Sequence, residues 1–202
     1  MLARRRDRVK SAAVAEVLLF HHALGLTSGV VAFADDLRGA GHVVHTPDLY
    51  DGMKFADIDA GVAHAREIGF AAILERGGAA AEQLPNQLVY AGFSLGVMSA
   101  QMLTQTRPGA KGGLFFDAAL PASEFGGWPD GVPAQIHMMS ADPSVLEGDL
   151  DAARELAEQV DSVELFLYPG DRHLFADNSL PWYDETAAAQ LKQRALDFLG
   201  RV

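Results

Sequence analysis

The chain has 202 residues, 49% of them apolar and 21% charged, which is typical of a single globular domain rather than a disordered or fibrous chain. The formal net charge of −11 disfavours nucleic acid and anionic membranes as partners, because both bind through clustered Lys and Arg. The absence of cysteine excludes disulfides, Cys-based zinc sites and a thiol nucleophile.

The N-terminal segment is basic. The run Arg4-Arg5-Arg6-Asp7-Arg8 precedes apolar residues, but Glu16 interrupts that apolar run and no small-residue cleavage site follows, so a secretory signal is disfavoured. We expect residues 1–12 to form a flexible basic tail. No segment reaches the roughly 18 to 20 continuous apolar residues of a membrane helix. The expectation is a cytoplasmic protein with no membrane partner.

Short runs rich in β-branched and aromatic residues alternate with longer helical runs along the chain. The predicted strands are residues 14–20, 42–46, 88–91, 113–116, 134–139 and 163–168. The predicted helices are residues 28–40, 57–84, 95–106, 149–160 and 184–199, the second broken at Gly69 and at Gly77-Gly78. This alternation predicts an α/β fold with a mostly parallel sheet and helices on both faces. No linker separates the elements, so a single domain over 1–202 is expected.

The third strand leads into the motif Gly92-Phe93-Ser94-Leu95-Gly96. A Gly-x-Ser-x-Gly motif is weak by itself, but here a buried strand precedes it and a helix follows it, which is the context of a nucleophile elbow. The motif predicts Ser94 as a nucleophile and the backbone N–H of Leu95 as a donor to an oxyanion. The alternative is a tight strand-to-helix turn without chemistry.

A serine nucleophile needs a base to take its proton and an acid to orient that base. In hydrolases with this elbow they follow the serine in the order acid, then histidine, each beyond the end of a strand. Of the seven histidines, only His173 follows a late strand. The others precede the serine, lie in or beside strands, or lie on a helix: His21, His22, His42, His45, His64 and His137. His173 is therefore the predicted base.

Three aspartates are candidates for the acid. Asp142 follows the penultimate strand, where this type of hydrolase normally presents its acid, and it is the preferred candidate. Asp117 follows the strand before and is the second choice. Asp171 lies in the loop of His173 and is expected only to form a turn.

These residues together resemble the dienelactone hydrolase family, from about Val14 to the C-terminus. The likeness rests on residues 18–25, Pro47-Asp48-Leu49-Tyr50, the elbow, Asp142, and His173-Leu174-Phe175-Ala176 after Pro169-Gly170. It implies a small α/β hydrolase without a cap domain that cleaves small esters or lactones through an acyl-enzyme, with no metal or cofactor. The resemblance also places a second oxyanion N–H at Ala23.

The chain departs from the family archetype at three positions. Ser94 replaces a cysteine nucleophile, His22 replaces a glutamate in the first loop, and Asp177 replaces an arginine that holds the dienelactone carboxylate. An acid at Asp177 would repel an anionic substrate, which argues against dienelactone itself.

Other residues carry open alternatives. His21 and His22 are either partly exposed loop residues that position backbone or residues that shape the site, and shaping by His22 is favoured; a metal role is disfavoured because no third ligand is evident. The substrate pocket is predicted to include His22, Tyr50 and Phe93, with ordinary packing as the alternative.

Competing functions remain at this point. They are a thioesterase or amidase with the same triad, and a ligand-binding domain without activity. A nucleotide-binding domain is disfavoured because the first loop lacks Gly-x-Gly-x-x-Gly. The protein is expected to be a monomer or a homodimer.

Overall fold

A computed structural model describes residues 14–202, which form one six-stranded sheet in the order β2-β1-β3-β4-β5-β6. Every neighbouring pair is parallel. The strands are β1 Glu16–Phe20, β2 Val43–His45, β3 Val89–Phe93, β4 Gly112–Phe116, β5 Ala134–Met139 and β6 Val163–Tyr168. The predicted fold class and all six strands are confirmed, with ends that shift by a few residues. The expected tail at residues 1–12 lies outside the described residues.

Within residues 14–202, five α-helices lie between strands and a sixth follows β6. They are α1 Ser28–Gly39, α2 Ile58–Ile68, α3 Phe70–Glu82, α4 Leu95–Thr106, α5 Asp149–Gln159 and α6 Glu185–Leu199, with a short 3-10 helix at Ala122–Phe125. No helix within residues 14–202 is long and apolar enough to cross a membrane.

The predicted helix over 57–84 breaks at one glycine position and not at the other. Gly69, with a φ of 89°, separates α2 from α3 as expected. The expected break at Gly77-Gly78 was wrong, because α3 continues through both residues. A Cβ at Gly77 would lie 2.7 Å from the Cβ of Ser99 on α4, so this glycine allows the two helices to pack closely.

The helices cover both faces of the sheet, and successive strand residues point to opposite sides. Leu19 packs with α1 and α6 in one core, whereas Leu18 packs with the core formed against α2, α3, α4 and α5. The strand order reverses at β1, since β2 lies on one side of it and β3 on the other. The loops after β1 and β3 therefore diverge and leave a crevice at the carboxyl ends of the strands, where ligands bind in sheets of this kind.

Candidate active site

Ser94 lies in the tight turn between β3 and α4, at the edge of this crevice. Its φ of 46° is in the left-handed region that non-glycine residues rarely adopt. Its backbone N–H donates to the Phe116 carbonyl at 2.7 Å. A Cβ at Gly96 would lie 2.6 Å from the Phe20 carbonyl oxygen, and one at Gly92 would collide with the Gly96 backbone. The two glycines of the motif are required by this turn.

The structure brings the predicted nucleophile, base and acid together. His173 Nε2 lies 2.8 Å from Ser94 Oγ, and His173 Nδ1 lies 2.6 Å from Asp142 Oδ2. Asp142 is fully buried, and its other oxygen accepts the Ser144 N–H at 2.8 Å. A carboxylate oxygen accepts hydrogen bonds, so Nδ1 of His173 is assigned the proton in this pair, and Nε2 is the acceptor that faces the Ser94 hydroxyl.

The pKa of His173 is raised although its side chain is largely buried. Burial alone would lower its pKa. The hydrogen bond to Asp142 and the negative charges of Asp117, Asp142 and Asp149 outweigh burial, and the pKa of His173 is raised above its usual value.

The two predicted oxyanion donors lie beside the nucleophile. Ala23, in the loop after β1, and Leu95, the first residue of α4, line the same cavity as Ser94. The N-terminus of α4 also directs the positive end of its dipole at this point. Their roles as donors remain a proposal.

His21 and His22 are fully buried, so the alternative of partly exposed loop residues does not hold. His22 accepts the Leu24 N–H on Nδ1 at 3.2 Å and donates from Nε2 to Asp177 at 2.8 Å. His21 accepts the Leu49 N–H on Nε2 at 3.0 Å and donates to the His22 carbonyl at 2.8 Å. Both rings therefore fix the loop that contains Ala23. Burial lowers the pKa of His21 to about 4, which keeps this ring neutral.

Asp177 is also enclosed and does not face the cleft. It accepts hydrogen bonds from His22, from Thr27 and from Ser179. Burial alone would raise its pKa, but these hydrogen bonds outweigh burial and lower it. The expectation that Asp177 repels a substrate directly was wrong, since no cavity beside Ser94 is lined by it. Two positions that depart from the family archetype, 22 and 177, instead contact each other.

The predicted pocket residues His22, Tyr50 and Phe93 do not line the cleft, and this expectation was also wrong. Tyr50 is 1% exposed, and its ring packs between those of His21 and His64. Phe93 is 0% exposed and packs on Phe33 and Phe116 in the core under α1. Tyr50 lies in the loop after β2 and Phe93 is the last residue of β3, and neither position in the sequence revealed that packing turns the side chain away from the site.

The cleft has two arms that meet at Ser94 and His173. The apolar arm, of about 300 Å³, is lined mainly by side chains that α2, α3 and α4 present, among them Ile58, Val62, Ala65, Phe70, Leu95 and Met98. The acidic arm, of about 350 Å³, is lined by Asp117, Ser144, Glu147 and Asp149 among others. Within residues 14–202, neither arm is lined by Lys or Arg. The apolar arm was not predicted from the sequence; the spacing of Ile58, Val62 and Ala65 on one face of α2 is the pattern that would have indicated it.

One group of residues in the described part of the chain has the ligand types of a metal site. It consists of Asp117, Asp142 and His173, whose ligand atoms lie within 4.8 Å of one another. His173 and Asp142 are already hydrogen-bonded to each other, and a metal ion would have to displace that bond. The absence of a metal or cofactor stays a prediction.

Solved structures share this fold at low sequence identity. A dienelactone hydrolase-like promiscuous phosphotriesterase from metagenomic libraries is 20% identical, with a TM-score of 0.74 over 96% of this chain and 89% of that chain. A Klebsiella pneumoniae protein assigned as a dienelactone hydrolase is 16% identical, with a TM-score of 0.73 over 98% and 91%. A cold-adapted esterase from an Arctic intertidal metagenomic library is 18% identical, with a TM-score of 0.66 over 95% and 84%.

A comparison with curated proteins finds no match. The family model described as the dienelactone hydrolase family matches residues 5–202, almost the entire chain. The chain therefore belongs to the dienelactone hydrolase family.

Proposed function

We propose that this protein is a serine hydrolase that cleaves small carboxylic esters or lactones through an acyl-enzyme at Ser94. The observation that carries the proposal is the chain of hydrogen bonds from Ser94 through His173 to the buried Asp142, at 2.8 Å and 2.6 Å. A binding domain without activity would have no need for a strained serine with an aligned base.

In this mechanism, Ser94 Oγ attacks the ester carbonyl carbon while its proton passes to His173 Nε2. Asp142 stabilises the resulting imidazolium, and the N–H groups of Ala23 and Leu95 hold the oxyanion of the tetrahedral intermediate. The carbon–oxygen bond then breaks and His173 returns the proton to the leaving alkoxide. A water molecule attacks the acyl-enzyme by the same steps and releases the acid.

The lining of the cleft supports a neutral substrate with an apolar group. Phe70 and Met98 bound an arm of about 300 Å³ that suits a short acyl or alkyl chain. The family archetype holds an anionic lactone through an arginine, but no cation lines the cleft among the described residues. An uncharged ester or lactone is therefore the proposed substrate.

The assignment is tested by Ser94→Ala on p-nitrophenyl butyrate. We expect kcat/KM to fall by at least about 10³-fold, because this change removes the nucleophile. Ser123→Ala is the matched control, since this serine is exposed on the 3-10 helix and lines neither arm of the cleft. A fluorophosphonate should label the wild type and not Ser94→Ala. Undiminished hydrolysis by the Ser94 variant would refute the mechanism.

The leaving group is tested separately. A panel of matched butyryl esters, thioesters and anilides separates an esterase from a thioesterase or amidase. A phosphotriester belongs in the same panel, because one structural neighbour is a promiscuous phosphotriesterase. We expect the oxygen ester to have the highest kcat/KM.

A further inference from the structure

Asp117 lies at the carboxyl end of β4, between the strands that lead to Ser94 and Asp142. Its φ of 61° is strained for a non-glycine residue. Four non-glycine residues of the described chain have a positive φ. Three of them lie at the site: Ser94 itself, Asp117, and Leu174, which follows His173. Such strain is retained where the surrounding structure imposes it, typically at functional sites.

The carboxyl group of Asp117 is buried without the partners that a structural aspartate normally has. Asp117 is 1% exposed, and neither oxygen meets the geometry of a hydrogen bond to another group within residues 14–202; the nearby Leu174 N–H lowers the pKa of Asp117 but does not offset burial. An unpaired buried carboxylate destabilises a fold. Packing and stability therefore do not explain an acid here, where an apolar residue of similar size would cost less.

The neighbour that an acid at this position can serve is His173. Ligand atoms of Asp117, Asp142 and His173 all lie within 4.8 Å of one another. The negative charge of Asp117 raises the pKa of His173, after the hydrogen bond from Asp142. Burial raises the pKa of Asp117 to about 7. The charge of His173 lowers this pKa, and the charge of Asp142 raises it further.

Other charged groups face this pair from the surrounding elements. Asp149, at the start of α5, also adds negative charge near His173, and Glu147 lines the acidic arm. Burial and the charge of Asp117 raise the pKa of Tyr168 on β6, whereas Arg194 beside it acts in the opposite sense. None of these groups is within the cluster of ligand atoms that joins Asp117 to His173.

We propose that Asp117 is a second, positioning carboxylate for His173. Asp117 stabilises the His173 imidazolium through space, while Asp142 stabilises it through a hydrogen bond. The inference rests on the proposed function, because the imidazolium forms when Ser94 gives up its proton. Asp142 holds the ring, and Asp117, which a pKa of about 7 leaves mainly ionised above pH 7, adds its charge there without a competing hydrogen bond.

The test compares Asp117→Asn, Asp142→Asn and the double variant with the wild type. Asparagine keeps the shape of the side chain and removes its charge. We expect Asp117→Asn to shift the acid limb of kcat/KM to lower pH by at least about 0.5 unit, a threefold change in the proton affinity of His173. We expect the double variant to be at least about threefold slower than Asp142→Asn. Asp171→Asn, which removes an exposed acid in the His173 loop, should change neither quantity.

A second measurement separates this inference from the proposed function. The pKa of His173, followed by NMR titration, should fall in Asp117→Asn whether or not an ester is hydrolysed. An unchanged pKa, or a double variant no slower than Asp142→Asn, would overturn the role of Asp117. A wild type that neither hydrolyses esters nor reacts with a fluorophosphonate would instead overturn the proposed function, and with it the catalytic purpose of this charge. If Asp117→Asn does not fold, Asp117→Ser removes the same charge with less volume.

Discussion

Three histidines of this chain show how the surroundings set the protonation of one residue type. Burial lowers the pKa of His21 to about 4 and that of His137 to about 3. Both rings are held as neutral hydrogen-bonding groups, His137 against the Tyr168 hydroxyl at 2.9 Å. Burial acts on His173 in the same sense, but hydrogen bonding to Asp142 and nearby negative charge raise its pKa. His173 alone of the three is suited to take up a proton near neutral pH.

The first prediction concerns the pH dependence of hydrolysis. Because His173 must be neutral to accept the proton of Ser94 and its pKa is raised above 6.5, the acid limb of kcat/KM should have its midpoint above pH 6.5. The measurement is kcat/KM for p-nitrophenyl butyrate between pH 5 and pH 9 in buffers of constant ionic strength. A flat profile, or a midpoint below about 6, would contradict a base supported by carboxylates.

The second prediction concerns stability at Asp117. Its pKa is 3.8 in a model peptide and about 7 in the folded protein, so between these values the folded state binds the proton more strongly than the unfolded state. The contribution of Asp117 to stability is therefore lost as pH rises from about 4 to 7, and it changes little above that. Asp117→Asn should be more stable than the wild type at pH 8, by up to a few kcal/mol.

Thermal or urea unfolding of Asp117→Asn and wild type at pH 4, 6 and 8 checks this expectation. The difference in the free energy of unfolding should grow from pH 4 to pH 7. Asp171→Asn, at an exposed position, should show no such trend. A difference that does not vary with pH would mean that folding does not raise the pKa of Asp117.

At the scale of elements, the loop after β1 and the loop after β6 are joined by a buried pair. His22 and Asp177 are both 0% exposed in their side chains and are hydrogen-bonded at 2.8 Å. His22 also accepts the Leu24 N–H, next to the proposed oxyanion donor Ala23, and Asp177 lies four residues after His173. The pair therefore ties the loop that contains Ala23 to the loop that contains His173.

The third prediction follows from this connection. Asp177→Ala leaves the donors of His22, Thr27 and Ser179 without their acceptor inside the fold. We expect a loss of at least about 3 kcal/mol in the free energy of unfolding, because three buried donors lose their acceptor at about 1–3 kcal/mol each. Where the variant is folded, kcat should fall more than KM rises, because Ala23 is needed most in the transition state.

The measurements are urea unfolding and steady-state kinetics on p-nitrophenyl butyrate. Asp161→Ala, which removes an exposed acid before β6, is the matched control and should leave both unchanged. If Asp177→Ala unfolds in the same range as Asp161→Ala, the pair contributes no stability and does not hold the two loops together.

The same pair shows which features could be predicted from the sequence. The strands, the elbow, and the order of Asp142 and His173 depend on local patterns and on chain order, and the structure brings these residues together. The contact of His22 with Asp177 joins residues 155 positions apart. No local pattern contains it, so positions 22 and 177 looked like two independent changes.

The errors have a similar physical cause. Gly77 looked like a helix break, because the sequence does not show that α4 packs so closely against it. Tyr50 and Phe93 looked like pocket residues, because they are aromatic and lie near the motifs. Whether these side chains reach the cleft depends on how α1 and α2 pack. In the structure both side chains lie in the hydrophobic cores.

At the scale of the whole molecule, the net charge of −11 is concentrated in part around the cleft. Asp117, Glu147 and Asp149 line the acidic arm, and no Lys or Arg from residues 14–202 lines either arm. Burial raises the pKa of Asp149 as well as that of Asp117, so Glu147 at the exposed rim carries the most accessible charge. The negative charge of these groups repels an anionic substrate, and the repulsion grows as binding excludes water from the cleft.

The fourth prediction is therefore a preference for neutral over anionic esters of the same length. p-Nitrophenyl hexanoate and the p-nitrophenyl monoester of adipic acid differ by a terminal methyl against a terminal carboxylate. We expect kcat/KM to be at least about tenfold lower for the adipate ester, chiefly through KM, because its carboxylate would lie in an arm without a cation.

Glu147→Gln should narrow the ratio of kcat/KM for the hexanoate to that for the adipate ester. Glu158→Gln, an equal change in net charge on an exposed part of α5, should not. Added salt should narrow the ratio in the wild type, since charge at the rim is screened. Equal rates for the two esters would mean that the acidic arm does not contact the acyl chain.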